Sequence, residues 1–270
     1  MRKKRLPFLV LGIAILLFFL IMACFPQAFT DCGRKESFGA WLPPSSEHIL
    51  GTNSLGYDIF AEVVYGAKDT LTVALASGVI SLIFGIIIGL LSAQKGVLGG
   101  LFSVLTNVFV MMPKLVVFIV VAAFVGSTTL NLIILISAFG WASTARAVRA
   151  KVIHIRSQEY IEICKTYGFS HVHTAVRHIL PNLSDVILSR FLLGVNGCIM
   201  AESTLSFLGF GNLYYPTWGV MINFARAGGA IIRGAYQYLL APCVCLMLLS
   251  LSFYFISLYF DGKRDSAQAY

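Results

Sequence analysis

Charge is scarce in this sequence. Of its 270 residues only 12% are Asp, Glu, Lys or Arg, against 58% hydrophobic, with a mean hydropathy of +0.83. So little polar surface cannot cover that much apolar side chain in water, which excludes a soluble globular domain and places the chain in a bilayer. The net charge of +8 would suggest a nucleic-acid partner for a soluble protein; here its placement along the chain matters more than its size, and no nucleic acid is expected. A phosphate loop of the form G-x-x-x-x-G-K-[ST] is missing, so any ATP must be bound by another subunit. No Ser-His-Asp or paired-carboxylate arrangement is recognisable, which removes the common hydrolase classes. Histidines cluster at His154, His171, His173 and His178 and invite a metal reading. On a helix, however, 171 and 173 point in different directions and 173 and 178 are five apart, so polar residues on a docking surface are the better account. The six cysteines are Cys24, Cys32, Cys164, Cys198, Cys243 and Cys245. Four lie in apolar runs or in a polar insert, where they serve as small hydrophobes. Cys24 and Cys32 can face an oxidising compartment and pair, and neither they nor Cys243 and Cys245 resemble a metal framework.

What the chain does have is long apolar runs. Arg2, Lys3, Lys4 and Arg5 precede Leu6 to Ala23, a run of eighteen residues. A signal-peptide core spans roughly 7 to 15 residues, so an uncleaved first span is expected, with lipid around it. Residues 25 to 70 are turn-rich, with Pro43-Pro44, and read as external. Further spans are expected at Leu71 to Leu91, Leu101 to Val125, Leu132 to Ala145, Phe191 to Phe210 and Tyr238 to Phe260. The result is an all-α polytopic membrane protein with six transmembrane helices. It reads as one domain over 1-270: first span 1-24, external segment 25-70 and core 71-260, the core carrying a polar loop at 149-182.

Orientation follows from Lys and Arg. Only Arg34, Lys35, Lys68, Arg226 and Arg233 fall on one side, Lys114 lies within a span, and the other fourteen of the twenty fall on the side of the N-terminus. That bias makes both termini and the polar loop cytoplasmic.

Within the loop, Arg156 to Asn182 is polar and helix-forming. Tyr160, Ile161, Cys164 and Tyr167 recur at spacings of three and four, and Gly168 stands where a left-handed C-terminal cap is wanted. Ser170 can cap a second helix in which Val172, Ala175, Val176 and Ile179 share a face, and Pro181 ends it. Such a pair is too short to cross a bilayer; it should lie on the membrane surface or dock into another protein.

These residues carry a resemblance. Glu162-Ile163-Cys164, Gly168 six residues later and Leu180-Pro181 resemble the EAA loop of permease subunits of bacterial ATP-binding-cassette (ABC) importers. The local form EYIEICKTYG with RHILPN is most similar to the dipeptide, oligopeptide and nickel branch. Ile163 and Cys164 replace the two alanines, while the glutamate and glycine are kept. Ala201 to Gly209 resembles the family's AEASLSFLG run, Pro216 to Gly219 its PSWG, and Gly51 to Phe60 its GTDxxGRD segment. In the last of these, Asn53 and Tyr57 replace an acid and an arginine, so any charge pair those positions make in relatives is absent.

The resemblance implies a MetI-like ABC permease fold and a subunit that is not itself an enzyme. It further implies a second homologous permease, two ATPase subunits that bind ATP and Mg, and an extracytoplasmic substrate-binding protein, with no cofactor in this chain. Tyr160, Glu162, Gly168, His178, Leu180, Pro181 and Asn182 are the ATPase-coupling residues it implies, Glu162 foremost. Cargo stays open between peptides and nickel or a metal chelate.

Two further expectations concern the remainder of the chain. Lys114 and Glu202, the charges deepest in their spans, lie roughly 20 and 16 Å from the inner ends if each helix is straight. At that depth they should pair or line the translocation path. An ion-coupled secondary transporter would have only these two groups to work with. The segment from Gly211 to Gln237, with Tyr214, Tyr215, Trp218 and Phe224, either anchors at the membrane interface or helps to close the outer mouth and receive a binding protein.

Overall fold

A computed structural model describes residues 2–159, 161, 173 and 175–267, with side chains described except at 2–5, 175–176 and 261–267. Among the described residues the protein is helical, with α1 at Arg2–Cys24, α2 at Ile59–Ser92, α3 at Val97–Met111 and α4 at Lys114–Val125. They are followed by α5 at Thr129–Gly140, α6 at Ala142–Arg156, α7 at Ser184–Leu205, α8 at Trp218–Ala227 and α9 at Gln237–Ala267. Among the described residues, pairing between extended segments is limited to two isolated bridges, Ser37 with Tyr57 and Thr52 with Asp58. Five helical stretches are long and apolar enough to cross a membrane, and a sixth is counted if a bent pair forms one span.

That bent pair is α3 and α4, which meet at 88°. Met112 is extended at the break (φ −61°, ψ 136°) and Pro113, which has no N–H to give to a helix, starts the next element. The straight span expected from Leu101 to Val125 is therefore corrected to two half-length helices, and the depth assigned to Lys114 along a straight axis no longer holds. The other spans are longer than their apolar runs. Thr129–Arg156 runs through α5 and α6, and α2 begins at Ile59, twelve residues before the expected start at Leu71. Asp58 fixes that start: its Oδ1 accepts the Ala61 N–H at 2.7 Å, an N-cap of the kind that satisfies an orphan donor of the first turn. At 34 residues α2 is about 51 Å long, well beyond a hydrocarbon core of about 30 Å.

α2 is the central element, packed against α1, α5, α6 and α7. Small residues let the backbones approach. A Cβ at Gly85 would stand 2.8 Å from Thr144 Cγ2, and one at Gly89 would stand 2.7 Å from Val148 Cβ, both on α6. The main core joins α1, α2, α7, α8 and α9 around Phe19, Trp218, Tyr238 and Phe253. By contrast α3 and α4 expose Leu101, Val104, Val108, Leu115, Val116 and Val120, the apolar surface expected of helices set against lipid or another membrane subunit.

Candidate functional site

The polar loop is built on the ends of α2 and α6. Arg149 Nε donates to the Ser92 carbonyl at 3.0 Å, and Arg156 Nη1 donates to that of Ala93 at 2.6 Å. Both guanidinium groups thus satisfy carbonyls that the C-terminal turn of α2 leaves without helical partners. Beyond them Ala93, Val148, Val152, Ile155, Ile161, Ile179 and Leu183 form a separate apolar cluster. Ile161 and Ile179, one from each half of the expected helix pair, are buried in it, so these two residues of the apolar stripe pack with α6. The described end of the second half is a π turn at Ala175–Ile179 followed by a 3₁₀ turn at Pro181–Leu183, which leads into α7. His178 is half-buried, Leu180, Pro181 and Asn182 are exposed, and Asn182 Nδ2 donates to the His178 carbonyl at 2.8 Å. Tyr160, Glu162 and Gly168 lie outside the described residues.

At the opposite end of α2, the three remaining motifs close on one another. Glu202 is fully buried, and its Oε1 accepts hydrogen bonds from Ser206 Oγ and Thr217 Oγ1, both at 2.6 Å. Ser203 Oγ donates to its Oε2 at 3.3 Å. Thr217 also caps α8, accepting the Val220 N–H. The next residue, Trp218, is fully buried; its Nε1–H donates to the Val63 carbonyl at 2.9 Å and its backbone N–H to Thr70 Oγ1 at 3.1 Å. Gly219 is required by close approach, because a Cβ there would stand 2.8 Å from both Cα and O of Ser203. The AESTLS and PTWG runs are therefore two halves of one lock between α7, α8 and α2.

A second buried polar cluster joins the segment before α2 to the bundle. Asn53 Nδ2 donates to Glu62 Oε2 at 2.9 Å, while Asn53 Oδ1 accepts the N–H groups of Leu55 and Tyr57. Where an acid and an arginine stand in the family pattern, this chain holds a neutral amide that pairs with the buried carboxylate of Glu62. The sequence reading missed Glu62; its position in the first turn of the longest helix, four residues after a capping Asp, was the available signal.

The structure separates Lys114 and Glu202. No ion pair joins them, and the ion pairs found among the described residues are Arg34 with Asp69 and His48 with Asp58. Lys114, at the start of α4, lines a cavity of about 150 Å³ with Ser81, Phe118, Arg190 and Gly194. Glu202 is not part of that lining, being enclosed by its hydroxyl groups. Of the expected pair only Lys114 faces open space, and Arg190, counted from the sequence only among the charges on the side of the N-terminus, joins it there.

The aromatics of the segment from Gly211 to Gln237 divide in the same way. Tyr214 and Tyr215 are exposed and lie under Lys35 and Arg34, with the cations 5.6 and 5.4 Å from the ring centres. Trp218 is neither an interface anchor nor a surface contact, since it packs edge-on against Phe19 at 5.2 Å. Cys24 and Cys32 are free thiols, and burial, reinforced by the Asp58 carboxylate, pushes the Cys32 thiol above its ordinary range.

A helical bundle with a broken third span, a long central helix and interlocked motifs is the architecture of a multi-pass membrane protein. The chain belongs to the family described as the binding-protein-dependent transport system inner membrane component, whose pattern matches residues 81–266. It is a permease subunit of the ABC importer type, not an enzyme. The dipeptide transport system permease protein DppC of Bacillus subtilis is 31% identical across 98% of this chain and 82% of its own length. The oligopeptide transport system permease protein OppC of the same organism is 30% identical across 79% of this chain and 72% of its own. Among solved structures, the inward-facing MetNI methionine ABC transporter aligns with a TM-score of 0.56 at 16% identity, covering 73% of this chain and 95% of that one. That likeness supports the fold.

Proposed function

We propose that this chain forms half of the translocation path of an ATP-driven importer of di- or oligopeptides. It works with a second homologous permease, two ATPase subunits that carry ATP and Mg, and an extracytoplasmic binding protein that presents the cargo. The observation that carries the reading is the identity to a dipeptide permease over 98% of the chain. Both termini and the loop at 149-182 face the cytoplasm, in keeping with the Lys and Arg bias.

Coupling to the ATPase runs through the loop. Tyr160, Glu162 and Gly168 form its first half, and His178, Leu180, Pro181 and Asn182 its second. Glu162 supplies a charge-assisted contact worth about 1.5 to 3 kcal/mol when desolvated. The burial of Ile161, Ile179 and Leu183 against α6 supports this role, because a docked apolar stripe passes a push on the loop directly to α6 and α7. Lys114 and Arg190 line the path, where two cations with no acid among the lining residues favour the carboxylate of a peptide.

Uptake decides the cargo. A strain lacking the chain should lose accumulation of labelled di- or oligopeptides and regain it on complementation. Loss of nickel uptake with peptide uptake intact would replace peptide by nickel or a metal chelate.

A further inference from the structure

Three chemically different side chains meet in the segment before α2. One ligand atom from each of Cys32, His48 and Asp58 lies within 4.8 Å of the other two. They come from separate stretches, and each stretch is fixed independently. The Cys32 N–H donates to Thr30 Oγ1 at 3.2 Å. The His48 N–H donates to Ser45 Oγ at 3.0 Å, and the His48 carbonyl accepts the N–H groups of Ser45 and Gly51. Asp58 gives Oδ1 to the cap of α2 and keeps Oδ2 free to meet His48 Nδ1 at 2.8 Å. His48 and Asp58 are buried while Cys32 is half-exposed, so the cluster opens on one side only. On that side lies a cavity of about 280 Å³ whose wall includes Cys32 and Asp58 together with Asp31 and Glu47 and carries no Lys or Arg.

We propose that Cys32, His48 and Asp58 bind a divalent transition-metal ion of the zinc class. A thiolate, an imidazole and a carboxylate are the donor types such ions take, whereas magnesium and calcium take oxygen alone. Zinc–ligand bonds of about 2.0 to 2.3 Å set tetrahedral ligand atoms roughly 3.3 to 3.8 Å apart, so closing the cluster on an ion takes shifts on the order of 1 Å. Cys32 gives up its thiol proton to water on binding, His48 binds as neutral imidazole, and a water from the acidic cavity fills the fourth position. The ion ties Cys32 and His48 to Asp58, the cap of α2. This assignment does not depend on the cargo or on the loop at 149-182.

The test uses the full chain in isolated membranes. Metal-bound thiolate is shielded from alkylation, so maleimide labelling of Cys32, read by peptide mass spectrometry, should slow by roughly tenfold or more with zinc and not with magnesium. EDTA should reverse the protection, and exposed Cys24 serves as the internal control. Chain purified in detergent should retain about one zinc per molecule after dialysis, falling to the background of a magnesium-only sample in Cys32→Ser and His48→Gln. Unchanged labelling of Cys32 in zinc overturns the proposal even if the variants do not fold, as does zinc retention that both folded variants keep. In either case the cluster is a helix cap with a buried His–Asp pair only.

Discussion

At the end of the bundle where α2 begins, contacts between distant segments run through buried polar side chains. Asn53 meets Glu62, Glu202 meets Ser206 and Thr217, and the Trp218 indole meets the Val63 carbonyl. Where α2 stops, the polar contacts among the described residues include two guanidinium groups on backbone carbonyls and a bond from Arg156 to Gln94 Oε1, and the packing is a small aliphatic cluster. The difference is one of directionality. A buried carboxylate surrounded by three hydroxyl groups has a single satisfied geometry, and leaving it strands several donors at once. Apolar packing is non-directional, so this cluster can move as a body with the elements it joins. The coupling proposed above needs one end that keeps its shape and one that can be moved, and the interactions of the described residues are divided along that line.

The largest effects should come from breaking the polar end. Glu202→Leu leaves the buried hydroxyls of Ser206 and Thr217 without their acceptor and should cost about 3 kcal/mol or more. Trp218→Ala removes a fully buried indole and should cost about 3 to 5 kcal/mol. Thermal denaturation in detergent should show melting temperatures lower by several degrees in both cases; an unchanged value in either would mean that the lock does not hold the fold.

Glu162→Lys probes the other end. It should lower uptake by roughly tenfold, equivalent to about 1.4 kcal/mol, while membrane insertion and melting temperature stay as in the parent chain. Uptake at the parental rate would remove Glu162 from the coupling role. Arg156→Ala should do less: the side chain is partly exposed and gives two bonds to α2's end, so a cost of about 1 kcal/mol is expected. A loss as large as that of Trp218→Ala would show the two ends to be equally rigid.

Much of this division was visible in the sequence as separate pieces. The AESTLSFLG, PTWG and GTNSLGYD runs were each recognisable, and the apolar stripe through Ile161 and Ile179 was readable from its spacing. What a linear reading does not supply is the partner of each piece. Glu202 and Thr217 are fifteen residues apart, but Trp218 and Val63 are 155 apart, and nothing in either run names the other. Asn53 showed only that a family charge was missing, because its acceptor Glu62 is identified by burial. Hydropathy measures the length of an apolar run and not its straightness, so Leu101 to Val125 passed as one span although Pro113 marked the break.

The smallest expected effect is a coupling close to zero. If the α3–α4 pair were a straight helix, Lys114 and Glu202 would sit at similar depth and their replacement would interact. The 88° bend and the hydroxyl cage around Glu202 separate them, so Lys114→Leu and Glu202→Gln should act independently. Glu202→Gln keeps an acceptor for Thr217 or Ser206 and should cost stability; Lys114→Leu opens nothing buried and should lower peptide uptake several-fold with stability unchanged. In the double variant the melting-temperature loss should match that of Glu202→Gln alone, with an interaction energy below about 0.5 kcal/mol, the limit within which independent sites add. An interaction of 1 kcal/mol or more would place the two side chains in contact during some stage of transport, and the polar end would then be a moving part as well.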